Sequence, residues 1–171
     1  MPPRHEYVRQ LQSLPAPVAL PPPPIDYARQ PAQDDAEALA DLMLAAYRGT
    51  IDYDGETITE ARAEIERYFA STAAPARLNC SWVAWRAGQA ISACLVCEWP
   101  ERGCPLIAYV LTRPDWKGRR LAERLLRPSL ESLAGAGASE VRAVITAGNL
   151  ASERLFARLG FTRVSMDAAA W

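Results

Sequence analysis

The reading of the fold turns on Tyr109-Val-Leu-Thr-Arg-Pro-Asp-Trp-Lys-Gly-Arg-Arg-Leu-Ala-Glu-Arg-Leu-Leu126. It opens with apolar and β-branched residues suited to a strand. Arg113-Pro114-Asp115 then breaks the strand, because proline lacks an amide and biases the residue before it toward extended backbone. Gly118, set among Lys117, Arg119 and Arg120, leads into a helix whose Leu121, Leu125, Leu126, Leu130 and Leu133 recur at helical spacing. A helix start presents unpaired amides and the positive end of the macrodipole, which together suit a phosphate, and the basic side chains add formal charge there. A capped helix with a solvated basic first turn accounts for the same residues equally well.

Upstream, residues 78–86, 90–98 and 105–112 read as three strands joined by short turns at Ala87-Gly88 and residues 100–103, hence an antiparallel meander. Before them, Asp34 with Glu37 and Thr57 with Glu60 have capping-box spacing. Each pair precedes an apolar stripe: Leu39, Leu42, Met43, Ala46 and Tyr47 in the first helix, Ile58, Ala61, Ile65, Tyr68 and Phe69 in the second. Gly49-Thr-Ile-Asp-Tyr-Asp-Gly55 is an acidic loop between these helices, and residues 25–29 form a short strand ahead of them. Downstream, a helix over 118–134 carries Pro128, which predicts a kink. A strand over 140–146, a helix over 149–159 closed by Gly160, and a strand over 161–166 complete the chain. Local pattern alone stops at an α/β (α+β) domain.

Residues 1–24 differ from the rest. Pro15, Pro17 and the run from Pro21 to Pro24 impose extension and remove backbone donors, so this segment is expected to be an arm on a domain spanning 25–171. Within it, residues 7–11 are a candidate edge strand. Of the 171 residues, 50% are apolar and 23% charged, with a formal net charge of −1; that balance disfavours a nucleic-acid role and gives no basic field toward a membrane. No apolar run approaches the ~20 residues of a membrane span, and residues 1–14 lack the apolar centre of a secretion signal. The expected compartment is the cytoplasm. Cys80, Cys94, Cys97 and Cys104 all fall in strand-like segments, where free cysteine behaves as a small buried hydrophobe. Cys94 and Cys97, three apart on a strand, face opposite ways, so no metal site is expected. The single histidine, His5, lies in the arm and leaves little room for histidine-based catalysis.

Lys117-Gly-Arg-Arg-Leu-Ala122 resembles the acyl-CoA-binding motif of GNAT acetyltransferases, [Q/R]-x-x-G-x-[G/A] after a strand, with Lys117 replacing Gln/Arg and Arg120 replacing glycine. A second segment, Gly148-Asn-Leu-Ala-Ser-Glu-Arg-Leu-Phe-Ala-Arg-Leu-Gly-Phe161, resembles the family's N-x-x-A/S-x-x-L-Y-x-x-x-G-F at Asn149, Ser152, Leu155, Gly160 and Phe161. The two stand in family order, one helix and one strand apart, and the resemblance covers roughly residues 25–166. It implies a mixed, mostly antiparallel central sheet flanked by helices, with splayed central strands.

The same resemblance implies roles. Val110, Leu111 and Thr112 would bond the pantetheine arm of acetyl-CoA through their backbone. The amides of Lys117, Gly118, Arg119, Arg120, Leu121 and Ala122 would cradle its pyrophosphate, and Asn149 would approach it from the following helix. An amine acceptor, small molecule or protein, would attack the thioester directly. Phe156 replaces the tyrosine that protonates the leaving thiolate in many relatives; phenylalanine has no proton to give, so the thiolate leaves unaided, another residue such as Tyr109 assists, or catalysis is slow. Glu98, at a strand end, is the candidate general base. Asp52, Asp54 and Glu56, in or beside the loop that overhangs the acceptor pocket in the family, would favour a cationic amine; capping explains acidic residues there as well. Tyr47 and Tyr53 would line the same pocket or simply pack. A homodimer is a further expectation. Two other classes stay open: a catalytically weak acyl-CoA-binding module or partner subunit, and an interaction protein using the proline-rich arm.

Overall fold

The computed structural model describes residues 2–13 and 23–164. Pro15, Pro17, Pro21 and Pro22, and the end of the strand expected over 161–166, lie outside the described residues. Among the described residues seven strands form one sheet: β1 (Arg4–Gln10), β2 (Tyr27–Arg29), β3 (Trp82–Arg86), β4 (Gln89–Trp99), β5 (Cys104–Thr112), β6 (Glu140–Thr146) and β7 (Thr162–Arg163). Their spatial order is β2-β3-β4-β5-β6-β1-β7, antiparallel everywhere except between β5 and β6. Helices α1 (Ala36–Tyr47) and α2 (Ile58–Ala70) cover one face, and α3 (Leu121–Gly135) and α4 (Leu150–Arg158) the other. Strand alternation feeds both cores at once. Cys94 and Val96 pack with Leu126, Leu130 and Leu133 of α3, while Ala93, Leu95 and Cys97 pack with Leu39, Met43 and Ile65 of α1 and α2. The two cysteines of the Cys94-x-x-Cys97 pair therefore lie on opposite faces.

Local rules hold at most helix ends. Thr57 and Glu60 form the reciprocal box that starts α2. The box expected from Asp34 and Glu37 at α1 does not form; Asp35, at the N-cap, turns its carboxylate back to accept the Ala32 amide at 2.7 Å while gripping the Arg29 guanidinium through both oxygens. Helix α3 continues through Pro128 to Gly135.

The central feature is the parting of two strands. β5 and β6 pair only at Leu106↔Arg142 and Ile107↔Ala143. On its other edge β5 stays paired with β4 to Thr112, but Leu95 faces Tyr109 and Val96 faces Ile107, so Ala108 is an extra, bulged residue. A bulge bends its strand and sharpens its twist, and past it residues 108–112 turn away from 144–146. The main chain sorts accordingly. The Leu111 carbonyl accepts the Ser92 hydroxyl at 2.8 Å and the Arg113 amide reaches the Ile91 carbonyl at 3.0 Å, both toward β4. Alternation then aims the N–H and C=O of Val110 and Thr112 into the gap.

Helix α3 starts from an unusual turn. Arg120 is its N-cap in left-handed backbone, φ 57° and ψ 26°, a conformation costing a non-glycine residue roughly 1 kcal/mol. Its guanidinium returns to Glu123 at 2.8 Å. Glu123, only 1% exposed, also pairs with Arg127 at 3.1 Å and Arg158 at 3.7 Å. Burial alone would raise the Glu123 pKa; the hydrogen bonds from Arg127 and Arg120 outweigh it and hold the carboxyl below its ordinary range. Arg120 thus adopts the left-handed backbone of the glycine it replaces, with its guanidinium held by an acid.

β1 differs from expectation as well. It is no edge strand: it lies between β6 and β7, with all seven residues in register against β6. The boundary drawn at residue 24 therefore does not separate it from the sheet. Its buried Glu6 receives Arg102 at 2.9 Å and the Arg142 guanidinium, which ties the strand to the β4–β5 connection and to β6.

Two outcomes follow for stability. Glu6→Ala is expected to cost about 2 kcal/mol in denaturant unfolding, less than the 3–5 kcal/mol of a fully buried pair because both guanidiniums reach solvent. Glu123 carries a depressed folded pKa, so its stabilisation is present above the unfolded value of about 4.3 and lost as pH falls through the folded one. Glu123→Gln is accordingly expected to lower stability at neutral pH by about 2 kcal/mol and to narrow the loss between pH 7 and about pH 3. Arg120→Gly should stay within about 1 kcal/mol of the parent, since relief of backbone strain offsets the lost ion pair. Urea titrations at the two pH values measure all three variants.

Candidate active site

Where β5 leaves β6, a cavity of about 910 Å³ opens. Ala108, Tyr109 and Val110 form one side and residues 143–146 the other, α1 and α2 stand over it, and Phe156 of α4 meets its far end through the gap. The cavity thus reaches from the α1–α2 face to the α3–α4 face of the sheet.

Its polar chemistry centres on Tyr109 and Glu64. The Tyr109 hydroxyl donates to Glu64 Oε1, and Glu64 also takes the Arg67 guanidinium one turn along α2. Burial, followed by the hydrogen bond to Glu64, pushes the Tyr109 phenol above its ordinary pKa, so it keeps its proton through the neutral range. Tyr47, also on the lining, is raised by burial and then by the nearby Asp52 charge, with Arg4 acting in the opposite direction.

The α1–α2 loop supplies the next contact. Asn149 caps α4 by accepting the Ser152 amide at 3.1 Å, and its Nδ2 donates to Asp52 at 2.7 Å. Residues 97 positions apart in sequence are joined at one wall of the cavity. Tyr53 and Asp54 are not on the lining. The Tyr53 hydroxyl goes to the Glu56 carbonyl at 3.4 Å and the Asp54 amide to the Glu56 carboxylate at 3.0 Å, so both hold the loop's own shape.

Glu98 does not line the cavity. Cys97 and Trp99 do, and alternation turns the residue between them the other way. Its carboxylate is taken by Arg77, and its amide bonds the Pro75 carbonyl at 2.9 Å. Phe156 is buried edge-on against Phe161, 4.9 Å between ring centroids. Among the cysteines, burial pushes Cys94 up to about 12 and Cys97 up to about 11, the reverse of what a nucleophilic or metal-binding thiol needs.

The start of α3 lies outside the cavity wall. Lys117, Gly118, Arg119 and Arg120 are exposed, with the Arg119 guanidinium 4.8 Å over the Trp116 ring. Leu121 is buried in the α3 core and Ala122 half-buried. The first helical bond runs from the Arg124 amide to the Arg120 carbonyl, so the amides of Leu121, Ala122 and Glu123 precede it and have no partner within the helix.

Sequence reading missed Glu64, Glu60 and Arg4 as site residues, all of which line the cavity together with the expected Asp52 and Glu56. Glu60 and Glu64 are one turn apart on the same face as Arg67, a signal that was present but lay outside the apolar stripe. Arg4 had no local signal, because its place depends on which strand β1 joins.

A family model of the acetyltransferase (GNAT) domain matches residues 27–162. Among solved structures, the chain is similar to a GCN5-related N-acetyltransferase from Sphaerobacter thermophilus, with TM-score 0.70 and 20% identity over 94% of this chain and 48% of that one; it spans about half of that relative's length. It is also similar to the PaiA N-acetyltransferase from Thermoplasma acidophilum in complex with coenzyme A, with TM-score 0.65 and 15% identity over 84% of this chain and 93% of that one. A third is an aminoglycoside N-acetyltransferase in complex with CoA, with TM-score 0.64 and 15% identity over 90% and 98%. No curated protein matches it in sequence. At such identities the structures speak to the fold alone; the domain match extends over most of the chain, and the protein belongs to the GNAT acetyltransferase family.

Proposed function

We propose that the protein is an N-acyltransferase that moves an acetyl group from acetyl-CoA to a primary amine. The observation that carries this reading is the parting of β5 from β6 directly into a cavity holding the Glu64–Tyr109 pair. The residues suit the donor. Val110 and Thr112 aim main-chain donors and acceptors into the gap, as a strand-like pantetheine requires, and Leu111, bonded to β4, does not. The amides of Leu121 and Ala122 and the positive end of α3, with Lys117, Arg119 and Arg120 around them, suit a pyrophosphate. Acetyl-CoA would supply a thioester carbonyl open to attack.

The chain's own residues do the rest. The Val110 amide stands where it can bond the carbonyl oxygen as negative charge gathers there. Glu64 takes the role first considered for Glu98: its carboxylate receives the proton of the incoming ammonium, directly or through the Tyr109 hydroxyl, leaving a free amine to attack the carbonyl carbon. Tyr109, kept protonated by burial, is the phenol available to the departing sulfur, since Phe156 cannot donate. Asp52, Glu56, Glu60 and Glu64 on the lining favour a cationic acceptor. Asn149 has its amide committed to Asp52, so it serves the acceptor wall as well as the α4 cap.

Calorimetric titration with acetyl-CoA, with free CoA alongside, tests the donor site, and thiol release with a panel of amines tests transfer. Micromolar binding with turnover is expected. Binding without turnover on any amine would instead favour an acyl-CoA-binding module, the reading that Phe156 leaves open. Glu64→Gln is expected to lower kcat by about 100-fold with acetyl-CoA affinity little changed, while Glu98→Gln keeps most of the turnover. Full turnover in Glu64→Gln removes that residue from the chemistry.

A further inference from the structure

The charged groups on the cavity lining have partners with one exception. Asp52 accepts from Asn149, the Glu56 carboxylate takes the Asp54 amide, Glu60 closes the cap at Thr57, and Glu64 takes Tyr109 and Arg67. Arg4 lines the same cavity, and its guanidinium makes no hydrogen bond or ion pair among the described residues. Its backbone is nonetheless fixed. Arg4 stands in register with Thr146, and the Ala147 amide bonds the Pro3 carbonyl beside it at 2.8 Å. The acid nearest along β1 is unavailable to it, because Glu6, two residues on and facing the same way, is already held by Arg102 and Arg142.

Tyr47 lies within electrostatic reach of both Arg4 and Asp52, yet the two form no ion pair. Among the described residues Arg67, the other cation on the lining, is held by Glu64, so the cavity keeps an acidic wall, from α2 and the α1–α2 loop, apart from one unpaired basic point on β1. A purely cationic ligand would satisfy the wall and meet repulsion at Arg4. A molecule with both charges would satisfy each, and a guanidinium is matched in shape to a carboxylate.

We propose that the acceptor is an amine that carries a carboxylate in the same molecule, a free amino acid or near relative, with Arg4 as the residue that selects for the carboxylate. Its amine faces Glu64 and Asp52 while its carboxylate rests on Arg4. The proposal rests on the acyltransferase reading and narrows it. It excludes polyamines and other all-cationic acceptors as preferred substrates, since they offer Arg4 nothing.

The test uses three pairs of compounds differing only in the carboxylate: L-lysine and cadaverine, L-histidine and histamine, L-tyrosine and tyramine. Thiol release from acetyl-CoA is followed with the full chain, Arg4→Ala and Arg4→Lys. The expected result is a preference on the order of tenfold in kcat/KM for the amino acid in at least one pair, lost through KM in Arg4→Ala and partly kept in Arg4→Lys. Thermal unfolding and acetyl-CoA calorimetry verify that the variants are folded and bind the donor. Equal rates within every pair, preference for the decarboxylated partner, an unaltered preference in Arg4→Ala, or no turnover of any amino acid each overturn the proposal. A protein that fails to bind acetyl-CoA sinks the acyltransferase reading itself, whereas one that binds it and acetylates cadaverine but not lysine sinks this inference alone.

Discussion

The site depends on a pair of strands that cannot remain paired. Bonded at Leu106 and Ile107, β5 and β6 separate because Ala108 has no counterpart on β4 and the bulge bends β5 aside. A sheet interior that gives up its ladder leaves main-chain groups requiring other partners, and Val110 and Thr112 present theirs to the gap. Everything else is placed relative to this opening. α2 brings Glu64 to Tyr109, the α1–α2 loop brings Asp52 to Asn149, and Phe156 meets the gap from the opposite side of the sheet.

The two faces of the sheet carry separate tasks. On the α3–α4 side, a buried acid gathers three arginines and in doing so steadies a left-handed turn where glycine would have been easier. The family pattern has glycine at that position, and here an electrostatic tie replaces backbone freedom. On the α1–α2 side the acids are engaged at the cavity wall by one or two polar contacts each. Those bonds cost little to exchange for contacts with a ligand.

Much of this was legible in the sequence, and the reasons are local. The capping box at Thr57, the helical spacing of Leu121 to Leu133, and the opposite faces of Cys94 and Cys97 follow from short-range rules that the tertiary structure has no cause to override. The motif around Lys117 and the segment around Asn149 led to the family. Glu98 was misplaced by one step of alternation: a strand end looked like a pocket edge, while the cavity takes Cys97 and Trp99 instead. Glu64 was overlooked because a charged residue on an amphipathic helix reads as solvated until a facing strand is known. Arg4 and Glu6 were beyond reach, since nothing near residues 4–10 states that their partner is residues 140–146.

That last pairing shapes how the chain can fold. Glu6 and Arg142 are 136 positions apart in sequence, and among the described residues β7 is bonded to the sheet only through β1. The first strand made must wait, unpaired, until almost the whole domain has emerged, and the loop it then closes is among the longest available to the chain. Closure entropy grows slowly with length, but contacts this distant delay the transition state. The meander and its helices can collapse early as a local unit. Docking of β1 then completes the sheet beside β6 and delivers Arg4 to the cavity, so completion of the cavity lining belongs to the last stage of folding.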